Sequence, residues 1–243
     1  MSKVIAIWGA PNSGKTTLAT KLARAIYDAY QATVVVVYTD NETPTLPVVF
    51  PNYKREDLSS VGAALAKTDV DRYEVVKQMV TIKGKQNLCF LGFMDGENKY
   101  PYPAFDDGKA RSLYAVLASV ADYVIVDCTG SLENPLAKVA IQEADTVLRL
   151  STPTLKSVSF LVSQLPLYAD PSFRLDRHIQ GICVTDEDLY MPIEEAKAQL
   201  RDVRFTLPYS RAIKQQMLDG NLYEAVGDKQ FNAKLKAIME KIV

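Results

Sequence analysis

The chain has 243 residues, a length that suits one α/β domain with a sizeable buried core. Hydrophobic residues make up 48% of it and charged residues 23%, which excludes an intrinsically disordered chain. The formal net charge of −1 excludes a strong overall attraction to nucleic acid, so any such contact would need a local basic patch.

The cysteines and the single histidine do not indicate a disulfide framework or a metal site. Cys89, Cys128 and Cys183 lie in or beside short apolar runs and lack the paired spacing of a disulfide framework or a zinc site. We expect them to be core thiols of a cytoplasmic protein, because the N-terminal apolar run leads into a glycine-rich loop rather than a signal peptide. His178 is the only histidine and is expected to be structural.

Short apolar runs alternate with longer amphipathic runs along the chain. Strands are predicted at residues 4–8, 33–38, 88–93, 123–127, 146–150, 179–184 and 203–207. Helices are predicted at residues 16–30, 57–66, 72–80, 109–120, 135–143, 153–165, 192–200, 211–218 and 229–242. This alternation predicts an α/β fold with a mostly parallel central sheet flanked by helices.

A proline-rich stretch interrupts the alternation after the second predicted strand. Residues 41–54 contain Pro44, Pro47 and Pro51 and are predicted to form a long irregular insertion. Two interpretations stay open, a mobile loop over a bound ligand and a simple surface excursion.

The first predicted strand runs into a glycine-rich loop. Residues 9–16 read Gly-Ala-Pro-Asn-Ser-Gly-Lys-Thr and fit the pattern G-x-x-x-x-G-K-S/T between a predicted strand and a predicted helix. Such a loop points its backbone N–H groups at phosphate oxygens, and the positive end of the helix dipole adds to this attraction. The predicted cofactor-binding residues here are Ala10, Pro11, Asn12, Ser13, Gly14, Lys15, Thr16 and Thr17.

The side chains of this loop have separate expected roles. Lys15 is expected to reach the β- and γ-phosphates, and the Thr16 hydroxyl is expected to ligate Mg²⁺. Thr17 adds a hydroxyl contact near the α-phosphate. The sequence therefore predicts one P-loop ATPase domain over residues 1–243 that binds ATP or ADP together with Mg²⁺.

Two aspartates follow strands predicted to lie near this loop. Asp127 ends a strand, where a carboxylate can hold the Mg²⁺ hydration shell. Residues 127–130 also fit D-x-x-G, which would let the Gly130 N–H contact the γ-phosphate. Asp40 is expected to act near the metal and to orient the attacking water, with an exposed turn carboxylate as the alternative. Lys15, Asp40 and Asp127 are thus the predicted catalytic residues, and Thr16, Asp40 and Asp127 the predicted metal residues.

The sequence resembles the ParA/MinD group of P-loop ATPases nearly from end to end. The resemblance rests on the loop, on Asp40, on residues 87–92, 123–130 and 144–157, and on residues 207–210 followed by 216–220. It implies a three-layer P-loop NTPase fold with a mostly parallel sheet of seven or eight strands. It also implies slow ATP hydrolysis and a homodimer formed face to face across ATP. In that family the backbone near such a proline borders the adenine, so Pro208 and Tyr209 are expected base contacts.

Proteins of this group position DNA, division machinery or pilus and secretion apparatus, and the CpaE/TadZ-like pilus-localising branch is one candidate within it. This chain departs from the group at Ala10 and its neighbour Pro11, where a signature lysine usually reaches the partner's nucleotide. Three hypotheses follow. The chain is a dimerising switch with an unknown protein partner, a nucleotide-binding scaffold that hardly hydrolyses ATP, or a small-molecule ATP-dependent enzyme with a second charged pocket.

Two further features bear on partners. A basic cluster near residue 205 could contact nucleic acid, although a solvated face is the stronger expectation; its members are Arg201, Arg204, Arg211 and Lys214. The last predicted helix carries an apolar stripe of Phe231, Leu235, Ile238, Met239 and Ile242. MinD-type proteins attach to membranes through a C-terminal amphipathic helix, but we expect this stripe to pack on the domain.

Overall fold

A central sheet of eight strands organises the chain, and the computed structural model describes residues 2–97, 102–188 and 190–243. The strands in chain order are β1 (Lys3–Gly9), β2 (Val34–Tyr38), β3 (Val80–Ile82), β4 (Lys85–Leu91), β5 (Tyr123–Asp127), β6 (Thr146–Ser151), β7 (His178–Cys183) and β8 (Val203–Leu207). Their order across the sheet is β3-β4-β2-β5-β1-β6-β7-β8. Neighbouring strands pair in parallel except β3 and β4, which pair antiparallel.

Helices cover both faces of this sheet. They are α1 (Lys15–Tyr30), α2 (Leu46–Val49), α3 (Val61–Leu65), α4 (Arg72–Lys77), α5 (Asp107–Val120), α6 (Pro135–Glu143), α7 (Leu155–Gln164), α8 (Ile193–Leu200), α9 (Arg211–Leu218) and α10 (Lys229–Ile242). Residues of α1 and α10 pack in one hydrophobic cluster, and residues of α3, α5 and α6 pack in another. The predicted three-layer α/β architecture is therefore confirmed.

The run of four valines in β2 shows why the sheet is central. All four side chains are fully buried, with Val34 and Val36 in the α1 cluster and Val35 and Val37 in the opposite one. Alternate side chains of a strand point to opposite faces, so a strand that is apolar on both faces needs a helical layer on each side.

Several predicted boundaries were wrong. The helix predicted at residues 72–80 ends at Lys77, and residues 80–82 form the edge strand β3 instead. The helix predicted at residues 57–66 starts only at Val61, because the Ser60 side chain caps it by accepting from Gly62 N. The irregular insertion predicted at residues 41–54 contains α2, whose Leu46 and Val49 are fully buried.

The end of this insertion is fixed in the core by aromatic packing. The ring of Phe50 lies 4.9 Å from that of Phe90 and 5.0 Å from that of Tyr223, measured between centroids. Aromatic pairs at this spacing add to the stabilisation from burial alone. Leu46, Val49 and Phe50 therefore anchor this stretch in the core, while Val48 and Pro51 stay exposed.

The C-terminal helix packs on the domain as predicted. Its whole apolar stripe is buried in the same cluster as α1. Nearby, the buried Lys21 of α1 donates to the carbonyl oxygens of Leu222 and Glu224, at 2.6 and 2.8 Å, and also to the side chain of Gln216. This lysine ties α1 to the segment that joins α9 and α10. Within the described residues, none of the helices has the length and apolar character needed to cross a membrane.

The three cysteines are buried free thiols, as expected. His178 is partly buried, and its Nε2 lies 3.0 Å from the carbonyl oxygen of Phe173. Burial lowers the pKa of His178 to about 4, so its ring is neutral at physiological pH. These contacts agree with a structural role for His178.

Candidate functional site

The carboxyl ends of the parallel strands border a cleft of about 1300 Å³. The cleft lies beside β1, where the chain order of the sheet reverses, and open α/β sheets bind ligands at this place. Its wall contains nearly all the predicted site residues, namely Pro11, Asn12, Ser13, Gly14, Lys15, Thr16, Thr17, Asp40, Asp127, Gly130, Pro208 and Tyr209. Ala10 lies behind this wall and is almost fully buried.

The backbone of the loop after β1 is held in an unusual conformation. Gly9, Asn12 and Gly14 have φ angles of 150°, 58° and 80°. A Cβ on Gly9 would overlap the backbone of Leu150, so the loop depends on glycine there. Alternating backbone conformations of this kind form a concave nest of N–H groups that binds anions.

Some polar groups of this nest have no partner among the described residues, although the Ser13 N–H donates to the carbonyl oxygen of Ala10. Helix α1 begins at Lys15, and Gly14 offers no side-chain cap to the N–H groups of its first turn. Among the described residues, the buried hydroxyl of Ser13 has no hydrogen-bond partner. Buried polar groups are normally paired, so these orphaned donors fit a bound phosphate.

Lys15 is folded over the nest. Its Nζ donates a 2.9 Å hydrogen bond to the carbonyl oxygen of Ala10. Burial lowers the pKa of Lys15, and the nearby carboxylate of Asp127 opposes this shift. A buried ammonium with one carbonyl partner has two N–H groups left to donate to phosphate oxygens.

Thr16 and Asp127 come together from 111 residues apart in sequence. The Thr16 hydroxyl donates a 2.5 Å hydrogen bond to Asp127 Oδ2. Burial raises the pKa of Asp127 to about 6, although this hydrogen bond and the charge of Lys15 lower it. A hydroxyl and a carboxylate beside a phosphate nest are the hard oxygen ligands that Mg²⁺ prefers, so the two residues fit the predicted metal role.

Asp40 lies at the same end of the cleft, in the loop after β2. Its Oδ1 accepts hydrogen bonds from the backbone N–H groups of Glu42 and Thr43, at 2.9 and 2.7 Å. Asp40 therefore closes a turn as well as lining the wall. Gly130 packs against the ring of Phe160 and lies near the carbonyl oxygen of Gly9, which places it beside the phosphate nest.

The other end of the cleft has the character of a base pocket. Pro208 and Tyr209 follow β8, and the Nζ of Lys214 lies 5.9 Å from the Tyr209 ring centroid. The Thr17 hydroxyl lies 3.9 Å from the Met217 sulfur. Apolar and aromatic groups next to a phosphate nest suit the flat ring of a nucleotide base.

Sequence reasoning missed several residues of this site. Asn134 and Thr185 line the cleft, the fully buried Thr39 hydrogen-bonds to Asp127 and Asn134 of its wall, and none of the three was predicted as a site residue. A signal existed for each, since Thr39 and Thr185 follow strands of the parallel sheet and Asn134 precedes a proline at a helix start. Met217 carried no such signal.

Solved structures of other proteins share this architecture. A ParA family ATPase from Chlorobium tepidum matches with a TM-score of 0.81 at 15% identity, over 98% of this chain and 99% of its own. The septum site-determining protein MinD of Pyrococcus horikoshii, complexed with Mg-ADP, matches with a TM-score of 0.72 at 17% identity, over 100% and 96%. Cyanothece apo McdA matches with a TM-score of 0.74 at 18% identity, over the full length of both chains.

The chain has the ParA/MinD ATPase fold. The identities are too low to show more than the fold, and no protein-family model or curated protein sequence matches this chain. Ala10 is the position where the sequence departs from the ParA/MinD group. In the structure it is almost fully buried, and its methyl side chain carries no charge.

Two of the four members of the predicted basic cluster form ion pairs at the surface. Arg204 pairs with Asp202 at 2.9 Å, and Arg211 pairs with Glu187 at 2.5 Å. These exposed pairs add little stability, but they reduce the local positive potential. The arrangement favours the solvated face over a nucleic-acid surface.

Proposed function

We propose that this chain is a Mg²⁺-dependent P-loop ATPase of the ParA/MinD type. The observation that carries the proposal is the junction of Lys15, Thr16 and Asp127 beside the loop after β1, where the buried Ser13 hydroxyl has no partner among the described residues. The nest and Lys15 would hold the phosphates of ATP or ADP, and Thr16 and Asp127 would hold Mg²⁺. Bound Mg²⁺ would neutralise charge on the β- and γ-phosphates. The Mg-ADP in the Pyrococcus MinD structure supports this assignment.

The remaining residues of the cleft have roles that follow from their positions. Asp40 orients the attacking water, and Gly130 offers its N–H to the γ-phosphate. Pro208 and Tyr209 border the base. Three buried free thiols suit a reducing compartment, which supports a cytoplasmic location.

We further propose that the nucleotide drives a homodimer that recruits a protein partner in spatial positioning or partitioning. The ParA/MinD fold supports this proposal by analogy. A nucleotide-binding scaffold with little hydrolysis is the second candidate, and the buried Ala10 favours it because the signature lysine is absent.

Two measurements test these proposals. Phosphate release from Mg·ATP is compared between the wild type and Lys15→Ala, and release that disappears in the variant supports an ATPase. Light scattering then gives the molar mass without nucleotide, with Mg·ADP and with Mg·ATP. A dimer formed only with ATP supports the switch. A constant mass with negligible phosphate release supports the scaffold instead.

A further inference from the structure

Two loops meet at the γ-phosphate end of the cleft, and Thr39 joins them. Its side chain is fully buried between the loop after β2 and the loop after β5. The Thr39 hydroxyl donates to the carbonyl oxygen of Asp127 at 2.9 Å and accepts from the Thr129 N–H at 3.1 Å. One hydroxyl therefore uses both its donor and an acceptor position to hold the second loop.

Asn134 makes the reciprocal connection from the second loop to the first. Its Nδ2 donates to the carbonyl oxygen of Thr39 at 2.8 Å and to Asn41 Oδ1 at 3.3 Å. Its Oδ1 accepts from the Ala137 N–H at 3.0 Å and so caps helix α6. Only 8% of Asn134 is exposed, so both ends of its amide act in a dry environment where they are strong.

We propose that Thr39 and Asn134 form an interloop clamp, which makes the Asp40 loop and the Gly130 loop move as one unit. Both are positioning residues, because they act on the nucleotide through Asp40 and Gly130. This inference rests on the proposed ATPase function for its role, but the hydrogen bonds of the clamp itself join protein groups only.

The clamp has a consequence for ATP recognition. Asn134 and Thr39 hold the start of the turn that contains Asp40. Within this turn, Asp40 Oδ1 accepts two backbone hydrogen bonds, which fix the carboxylate. When Gly130 contacts the γ-phosphate and its loop shifts, the clamp moves the Asp40 loop by the same shift. A ligand without a γ-phosphate gives Gly130 nothing to contact, so ADP leaves Asp40 where it is.

Asn134→Asp separates the clamp from the helix cap. Aspartate caps a helix as well as asparagine does, so α6 keeps its cap. The Nδ2 donor is replaced by an oxygen that faces the oxygen acceptors of Thr39 and Asn41. Repulsion between these oxygens should push the two loops apart. Thr39→Val removes the hydroxyl at nearly constant shape, and Thr39→Ser restores it.

Hydrogen exchange on nucleotide-free protein tests the clamp itself. The clamp predicts that Asn134→Asp and Thr39→Val each accelerate exchange about tenfold or more, in both segments 40–43 and 128–131. Thr39→Ser should stay within about twofold of the wild type, and α6 should keep its protection in Asn134→Asp. Asp106→Ala is the matched control, since it removes the cap of α5 outside the cleft wall and should leave both segments unchanged.

Nucleotide measurements test the role of the clamp. In both clamp variants the ADP dissociation constant should stay within about threefold of the wild type, while ATP turnover falls about tenfold, the equivalent of one hydrogen bond of about 1.4 kcal/mol. A purely structural role would instead lower the folded fraction and leave turnover per folded molecule unchanged.

The possible results decide between the claims. Exchange that changes in neither segment, or only in the segment nearer in sequence to the substitution, overturns the clamp. A wild type that binds no ATP contradicts the proposed function, and the exchange result still decides on the clamp. Faster exchange in both segments with unchanged turnover overturns the positioning role.

Discussion

The buried carboxylate of Asp127 is expected to destabilise the nucleotide-free protein. Burial raises its pKa from 3.8 to about 6, and only 6% of the residue is exposed. Each unit of pKa difference corresponds to about 1.4 kcal/mol, so two units amount to roughly 3 kcal/mol. The folded protein holds this proton between pH 4 and 6, where the unfolded chain has released it. The contribution of Asp127 to the free energy of unfolding therefore falls as pH rises from 4 to 6.

Asp127→Asn removes the charge and keeps an oxygen that can accept from the Thr16 hydroxyl. At pH 7.5, without metal or nucleotide, we expect the variant to be more stable than the wild type, with a free energy of unfolding higher by up to about 3 kcal/mol. At pH 4 the difference should nearly vanish. Urea unfolding with chelator present measures both values, and Trp8, the only tryptophan and fully buried, supplies the fluorescence signal.

The same substitution should remove the response to Mg²⁺. A ligand that binds only the folded state raises the unfolding midpoint. For the wild type, ATP with Mg²⁺ should raise the midpoint more than ATP alone. For the variant, the two increases should be equal. Asp122→Asn is the control, because that exposed aspartate also accepts a backbone hydrogen bond, at the amino ends of β2 and β5 and away from the cleft. A stability difference between Asp127→Asn and the wild type that does not grow from pH 4 to pH 7.5 refutes the reasoning.

Three further substitutions test other parts of the structure. Gly9→Ala should abolish nucleotide binding in an equilibrium titration, because the new Cβ overlaps the backbone of Leu150, whereas Gly227→Ala has open space and no positive φ and should bind as the wild type does. Asp40→Ala should keep ATP binding and lose phosphate release; lost binding would show a metal or structural role instead. Lys21→Met should lower the free energy of unfolding by about 1–3 kcal/mol, since it takes the donor from the buried carbonyl oxygen of Leu222 and from two partly buried oxygens, and an unchanged free energy in urea unfolding would contradict this.

Local sequence was sufficient to predict the glycine-rich loop and the helix that follows it. Strand, loop and helix follow one another directly along residues 3–30, so the pattern around Lys15 carries its own structural context. Asp127 was also predictable, because carboxyl ends of parallel strands gather at one edge of a sheet. The central parallel strands followed from apolar runs such as the four valines of β2.

The features that sequence missed depend on distant contacts. Strand β3 has only three residues and exists because β4 pairs with it, so the preceding helical pattern hid it. Helix α2 lies in a proline-rich stretch and is held by burial of Leu46 and Val49. Thr39 follows a predicted strand and Asn134 precedes a predicted helix, but the contact between them spans 95 residues of sequence, which no local pattern records.

Isothermal titration of Mg·ATP and Mg·ADP into the purified protein tests the central claim most directly. The predicted result is one saturable site per chain in the wild type, with affinity at least tenfold weaker in Lys15→Ala, because a charge-assisted hydrogen bond contributes about 1.5–3 kcal/mol. No heat with either nucleotide, or equal affinity in the wild type and the variant, would contradict the assignment of this cleft as a nucleotide site.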